Sequence, residues 1–124
     1  MLHYKTYIVS PDAPWVSFVH GAGGSSSIWY KQIREFRKAH NVLLIDLRGH
    51  GKSARGRWKK GDSFAHIADE VKTVLDELNI ERTHVIGMSL GTIVAQTMAE
   101  RFPERITSLI LGGAIIRLDI RTKL

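Results

Sequence analysis

Short β-branched runs alternate along this chain with stretches whose apolar residues recur every three or four positions, and this alternation restricts the fold more than any other feature. Residues 3–9 (HYKTYIV) and 15–20 (WVSFVH) read as strands, with SPDAP between them as turn chemistry. In IWYKQIREFRKA, residues 28–39, Ile28, Trp29, Ile33 and Phe36 fall near one helical face, and the following NVLLID is an apolar run closed by Asp46. Over residues 62–80, Phe64, Ile67, Ala68, Val71, Val74, Leu75 and Leu78 keep the spacing of a buried helical stripe, with Asp62 or Ser63 as N-cap. The strand THVIGM, a helix over residues 90–102 that stops before Pro103, and a strand over 106–111 (ITSLIL) complete the series. Strands alternating with helices predict an α/β fold, a mostly parallel sheet of about five strands with three main helices distributed on both faces. At 124 residues and 44% hydrophobic content, one core and one domain over residues 1–124 are expected.

Several function classes fall away. Cysteine is absent, so no disulfide, thiolate metal site or thiol nucleophile can be built. Separately, no metal or cofactor is expected. The start, MLHYKTYIVS, lacks the basic and apolar regions of a signal peptide, and the longest mostly apolar stretch, ITSLILGGAII, is well short of the ~20 residues that span a bilayer. A cytoplasmic protein with no membrane partner is the expectation. The net charge of +6 raises nucleic-acid binding, but the positive residues cluster in RGHGKSARGRWKKGD (residues 48–62) and in RLDIRTKL. No helix-turn-helix pattern, RNA-binding aromatic signature or zinc-ligand spacing accompanies them, so they read as solvated segments and no specific nucleic acid is expected.

Open parallel sheets react at the carboxyl ends of their strands. Three such ends carry glycine-rich or polar turns: HGAGG (20–24), DLRGHGKS (46–53) and GMSLG (87–91). The last is the most informative because it follows a strand and opens a helix, the context of a nucleophile elbow. A serine whose hydroxyl projects above the sheet needs neighbours at minus two and plus two with almost no side chain, and Gly87 and Gly91 supply them around Ser89. At a helix N-terminus, the free N–H groups and the macrodipole favour a tetrahedral oxyanion. Leu90, the residue after the nucleophile, would be one oxyanion-hole donor and Ala22 in HGAGG the second. The plain reading of HGAGG is a loop that makes room for helix packing. DLRGHGKS imitates a phosphate loop, but the position that must be glycine is Asp46, so it reads as a structural turn.

In order and spacing, HGAGGSSSIW, DLRGHGKS and GMSLGTIVAQTMAERFPERITSLILGGA resemble the N-terminal half of the α/β-hydrolase fold superfamily, in its single-domain esterase, lactonase and cofactor-free haloperoxidase-like branch. The resemblance covers residues 4–114. It implies an acyl-serine intermediate on Ser89, oxyanion donors at Ala22 and Leu90, and a small ester-like substrate. Serine rather than aspartate at the elbow speaks against the epoxide hydrolase and haloalkane dehalogenase branches.

The resemblance also implies an acid and then a histidine after the serine. Only 35 residues follow Ser89 (124 − 89 = 35) and none is histidine. His3, His20, His40, His50, His66 and His84 all precede it. The expectation is therefore a truncated core, lacking the C-terminal strands, cap and acid–histidine region, that is inactive by itself. Asp119, the only aspartate after Ser89, is a candidate acid, and His20, at the end of the strand beside the elbow, a candidate base. The alternative function is a noncatalytic hydrolase-derived binding or interaction module. Because residues 106–111 are apolar and lack proline or inward charge, they are expected to form an exposed edge that pairs two copies into a homodimer, with IIRLDI nearby.

Overall fold

The computed structural model describes residues 1–20, 29–47 and 63–113. Five strands, β1 (Tyr4–Tyr7), β2 (Trp15–Val19), β3 (Asn41–Ile45), β4 (Thr83–Met88) and β5 (Ile106–Gly112), form one sheet in the order β1-β3-β2-β4-β5. β2, β3, β4 and β5 run parallel, and β1 lies antiparallel on β3 at one edge. Among the described residues three α-helices, α1 (Tyr30–Phe36), α2 (Phe64–Glu77) and α3 (Leu90–Arg101), give the α/β architecture that the alternating pattern predicts.

Although β1 and β2 are neighbours in sequence, they do not pair. The buried Asn41 side chain holds the connection between them: its Oδ1 accepts the Val9 and Ser10 N–H groups at 2.7 and 3.2 Å, and its Nδ2 donates to the Ser10 and Ala13 carbonyls. This amide meets backbone groups that a tight hairpin would have paired with each other, so β1 is carried across to β3.

The helix boundaries follow local chemistry. Ser63 caps α2, its hydroxyl accepting the His66 N–H while His66 Nδ1 accepts the Ser63 N–H, both at 3.3 Å. At the other end Asn79 takes a left-handed φ of 55° and the Ile80 N–H reaches back to the Leu75 carbonyl at 2.9 Å. Of the predicted stripe on α2, Ile67, Ala68, Val71, Val74 and Leu75 are buried.

Two apolar clusters flank the sheet. Beneath α2 and α3 lie Val19, Leu43, Ile45, Val71, Leu75, Val85, Val94, Met98 and their neighbours. On the α1 side Phe18 packs against Trp29 and Phe36, with ring centroids 4.8 and 5.5 Å apart, beside Val16, Ile33, Val42 and Leu44. β5 is the outermost strand beyond β4 among the described residues. Within those residues no helix is long and apolar enough to cross a membrane, and no group of three or more His, Cys, Asp or Glu is placed to hold a metal.

Candidate active site

β4 passes through the core with Val85 and Gly87 buried, and the chain reverses sharply at Ser89 before α3 begins. Ser89 has φ 52° and ψ −115°, a conformation that costs a non-glycine residue roughly 1–3 kcal/mol and persists only where its surroundings enforce it. Those surroundings are specific. The Ser89 N–H donates to the Gly112 carbonyl at 2.9 Å, and the Ser89 carbonyl accepts the Thr92 N–H at 2.9 Å and the Thr92 hydroxyl at 2.6 Å.

The two flanking glycines allow the approach. A Cβ on Gly91 would collide with the Val19 carbonyl oxygen and sit 2.7 Å from that of His20, so α3 presses its first turn directly on the end of β2. A Cβ on Gly87 would lie 2.6 Å from the Gly91 carbonyl oxygen, so the strand and the helix it enters are packed backbone to backbone. Leu90 is buried and is the first residue of α3, where an N–H has no acceptor within the helix. That amide faces the start of the helix, where partial positive charge gathers.

His20 is fully buried at the end of β2, and its Nε2 accepts the Leu47 N–H at 3.0 Å. An accepting Nε2 carries its lone pair in that bond, which makes the ring neutral with its proton on Nδ1. To serve Ser89 through Nε2, the ring would have to release Leu47, so His20 fastens the end of β2 to the segment after β3. His84 is the second residue of β4, about 16 Å below Ser89 at ~3.3 Å per residue; its Nδ1 is 2.7 Å from Ser108 Oγ and its ring packs on His40. His66 belongs to the α2 cap. The His3 carbonyl accepts the Asp46 N–H beside the end of β3. Ala22, His50 and Asp119, with the basic segment 48–62, lie outside the described residues.

The structure thus brings Gly87, Ser89, Leu90 and Gly91 together and adds Gly112 and Thr92, which sequence reasoning did not single out. Thr92, three residues into the helix, has a recognisable signal, because threonine hydroxyls return to carbonyls three or four residues earlier. Gly112 has none, since its role depends on strand register.

Comparison with known proteins agrees with this geometry. Residues 14–122 match the family model described as alpha/beta hydrolase fold. "Putative carbamate hydrolase RutD" from Acinetobacter baylyi is 37% identical over 98% of this chain and 47% of its own length. A solved hydrolase from Pseudomonas aeruginosa superposes with a TM-score of 0.81 at 31% identity, over 89% of this chain and 40% of that one. The enol-lactonase from Burkholderia xenovorans superposes with a TM-score of 0.77 at 29% identity, over 87% of this chain and 41% of that one. The chain spans less than half the length of each of these relatives. With a family model over most of its residues, a sheet of the same architecture and a strained serine between the end of β4 and the start of α3, the chain belongs to the α/β-hydrolase fold family.

Proposed function

We propose that Ser89 is the nucleophile of a hydrolase that cleaves carboxylic ester, thioester or lactone bonds. Its Oγ attacks the acyl carbon while the proton passes to an imidazole. The tetrahedral oxyanion is received by the Leu90 N–H and, from the HGAGG segment that follows β2 in the sequence, the Ala22 N–H. Collapse of that intermediate expels the alcohol or thiol with the proton, and water then releases the acid from the acyl-serine. The observation that carries the reading is the φ 52°, ψ −115° backbone of Ser89 between Gly87 and Gly91. A pure binding module has no use for a serine under such strain.

His20, His40, His66 and His84 do not supply that imidazole, because His20 is committed to Leu47 and the other three are engaged away from the elbow. The name of the A. baylyi relative adds carbamates as a second substrate class, reached by the same attack on an acyl carbon. Intact-mass analysis of the chain after exposure to an alkyl fluorophosphonate tests the reading. A single slow adduct mapping to Ser89 and absent from Ser89→Ala is expected, together with only residual ester turnover. No adduct, or one that survives Ser89→Ala, favours a noncatalytic binding module. Robust turnover that vanishes in Ser89→Ala would instead return His20 to the role of base.

A further inference from the structure

Of the backbone amides at the elbow, that of Ser89 is not available to a substrate: it is bonded to the Gly112 carbonyl on β5. Register chooses that acceptor. Thr83 of β4 lies opposite Ile106, but His84 lies opposite Ser108, so β5 carries one extra residue, Thr107, at its start. An uninterrupted strand would place Ile106, Ser108 and Ile110 on one face. With the extra residue, Ile106, Leu109 and Leu111 all reach the core beneath α2 and α3, and Gly112 comes level with Met88. Immediately beyond, Gly113 turns with φ 60°, and a Cβ there would meet nothing within 4 Å. The peptide joining Gly112 to Gly113 contains the carbonyl that Ser89 uses.

We propose that β5 positions the nucleophile: the Gly112 carbonyl, aimed by the left-handed turn at Gly113, holds the Ser89 amide and leaves the Leu90 amide as the elbow's oxyanion donor. The catalytic meaning rests on the proposed role of Ser89, whereas the hydrogen bond stands without it. Three anchors then share the strain at Ser89. Gly91 presses on β2, Thr92 bonds the Ser89 carbonyl and Gly112 bonds its amide. Only the last lies outside β4, α3 and β2, so the reactive serine depends on a strand whose residues make no contribution to the motif around it.

The open space at Gly113 separates conformation from crowding. Gly113→Val places a β-branched residue where φ is positive, which disfavours the turn without a clash. Gly113→Asn keeps a residue that tolerates it. Amide exchange followed by NMR should show Ser89 exchanging about tenfold faster in Gly113→Val, the population shift expected of a left-handed penalty, with the Val85 amide of β4 unchanged. Gly113→Asn should stay close to the parent. Phosphonylation of Ser89 should slow with the same ranking. Unchanged Ser89 exchange in Gly113→Val, or a Val85 amide that loosens equally, would overturn the proposal. Faster exchange without slower labelling would reduce Gly112 to a structural contact and overturn the positioning role. A parent chain that takes no label would sink the hydrolase reading, while the exchange ratio still decides whether β5 holds Ser89.

Discussion

Among the described residues, the two faces of the sheet are covered to different degrees. On the α2–α3 face seventeen described residues form one buried cluster, whereas on the α1 face six do. The difference comes from helix coverage. α1 is seven residues long and packs over β2 and β3 through Ile33 and Phe36, with Trp29 just before it, while the strip of β4 and β5 on the same face presents His84, Ile86, Met88, Ser108 and Ile110. Among these Met88 is 44% and Ile110 53% exposed. The elbow draws its rigidity from the finished face. α3 is pinned by Gly91 on β2, and its buried Val94, Ala95 and Met98 lie against α2 and the sheet. A strained residue needs surroundings that cannot relax, and the packing of α3 on α2 and β2 supplies them on this side.

The largest effect that would break this comparison is a cavity on each side. Leu75 is fully buried between α2 and the sheet, and Leu75→Ala should destabilise the fold by about 3 kcal/mol in denaturant titration, from lost transfer energy plus the void left behind. Ile110→Ala on the open strip should stay within about 0.5 kcal/mol. A loss of more than about 2 kcal/mol at Ile110 would mean that this strip is packed as closely as the other face, and the asymmetry would fall.

A smaller effect is expected at the side of β5 that faces away from β4, the edge of the sheet among the described residues. Strands without proline, lysine or inward charge pair readily with another chain, and residues 107–111 (TSLIL) have none of these guards. We propose that two copies pair there antiparallel about a two-fold axis. Such pairing keeps each face continuous, so Ile110 and its copy would lie near each other and Ile110→Lys should weaken the dimer by roughly tenfold through like-charge repulsion. Sedimentation velocity over a micromolar concentration series reads this directly. A parent chain that stays monomeric throughout would end the idea.

How much of this was legible in the sequence depends on whether the cause was local. The strands at β2, β3 and β4, the stripe on α2 and its N-cap at Asp62 or Ser63, of which the structure shows Ser63, follow from periodicity and neighbouring polar groups. The elbow was legible for a steric reason: a serine between glycines at a strand-to-helix junction leaves little freedom for the backbone. What could not be read depends on contacts distant in sequence. The pairing of β1 with β3 turns on the Asn41 amide about thirty residues away. The His20–Leu47 bond joins two strand ends 27 residues apart, and the Gly112 acceptor exists because Thr107 adds a residue at the opposite end of β5. Apolar periodicity is silent about all three.

The smallest effect lies at the bottom of the finished face, where Arg105 ties the start of β5 to the end of α2. Its Nε donates to the Glu81 carbonyl at 2.8 Å, its Nη2 to the Ile80 carbonyl and its Nη1 to Asp76 Oδ1, both at 2.6 Å. The hydrogen bond from Arg105, aided by the charges of Arg105 and Lys72, holds the Asp76 carboxyl below the usual carboxylate range. A depressed value means that the folded state favours the ionised form, so the stabilisation is complete above the ordinary carboxylate value of about 3.9 and is lost as pH falls below that and through the depressed value of the folded state. Solvent reaches Asp76, which keeps the effect small, and the two carbonyl bonds of Arg105 do not titrate. Between pH ~7 and pH ~3 the parent should therefore lose slightly more stability than Asp76→Asn, with the other carboxylates contributing equally to both. The gap should narrow in high salt, because the pair is exposed on the Asp76 side. Identical acid slopes for the two chains would show that the two carbonyl bonds alone secure the start of β5, and that its register needs no ion pair.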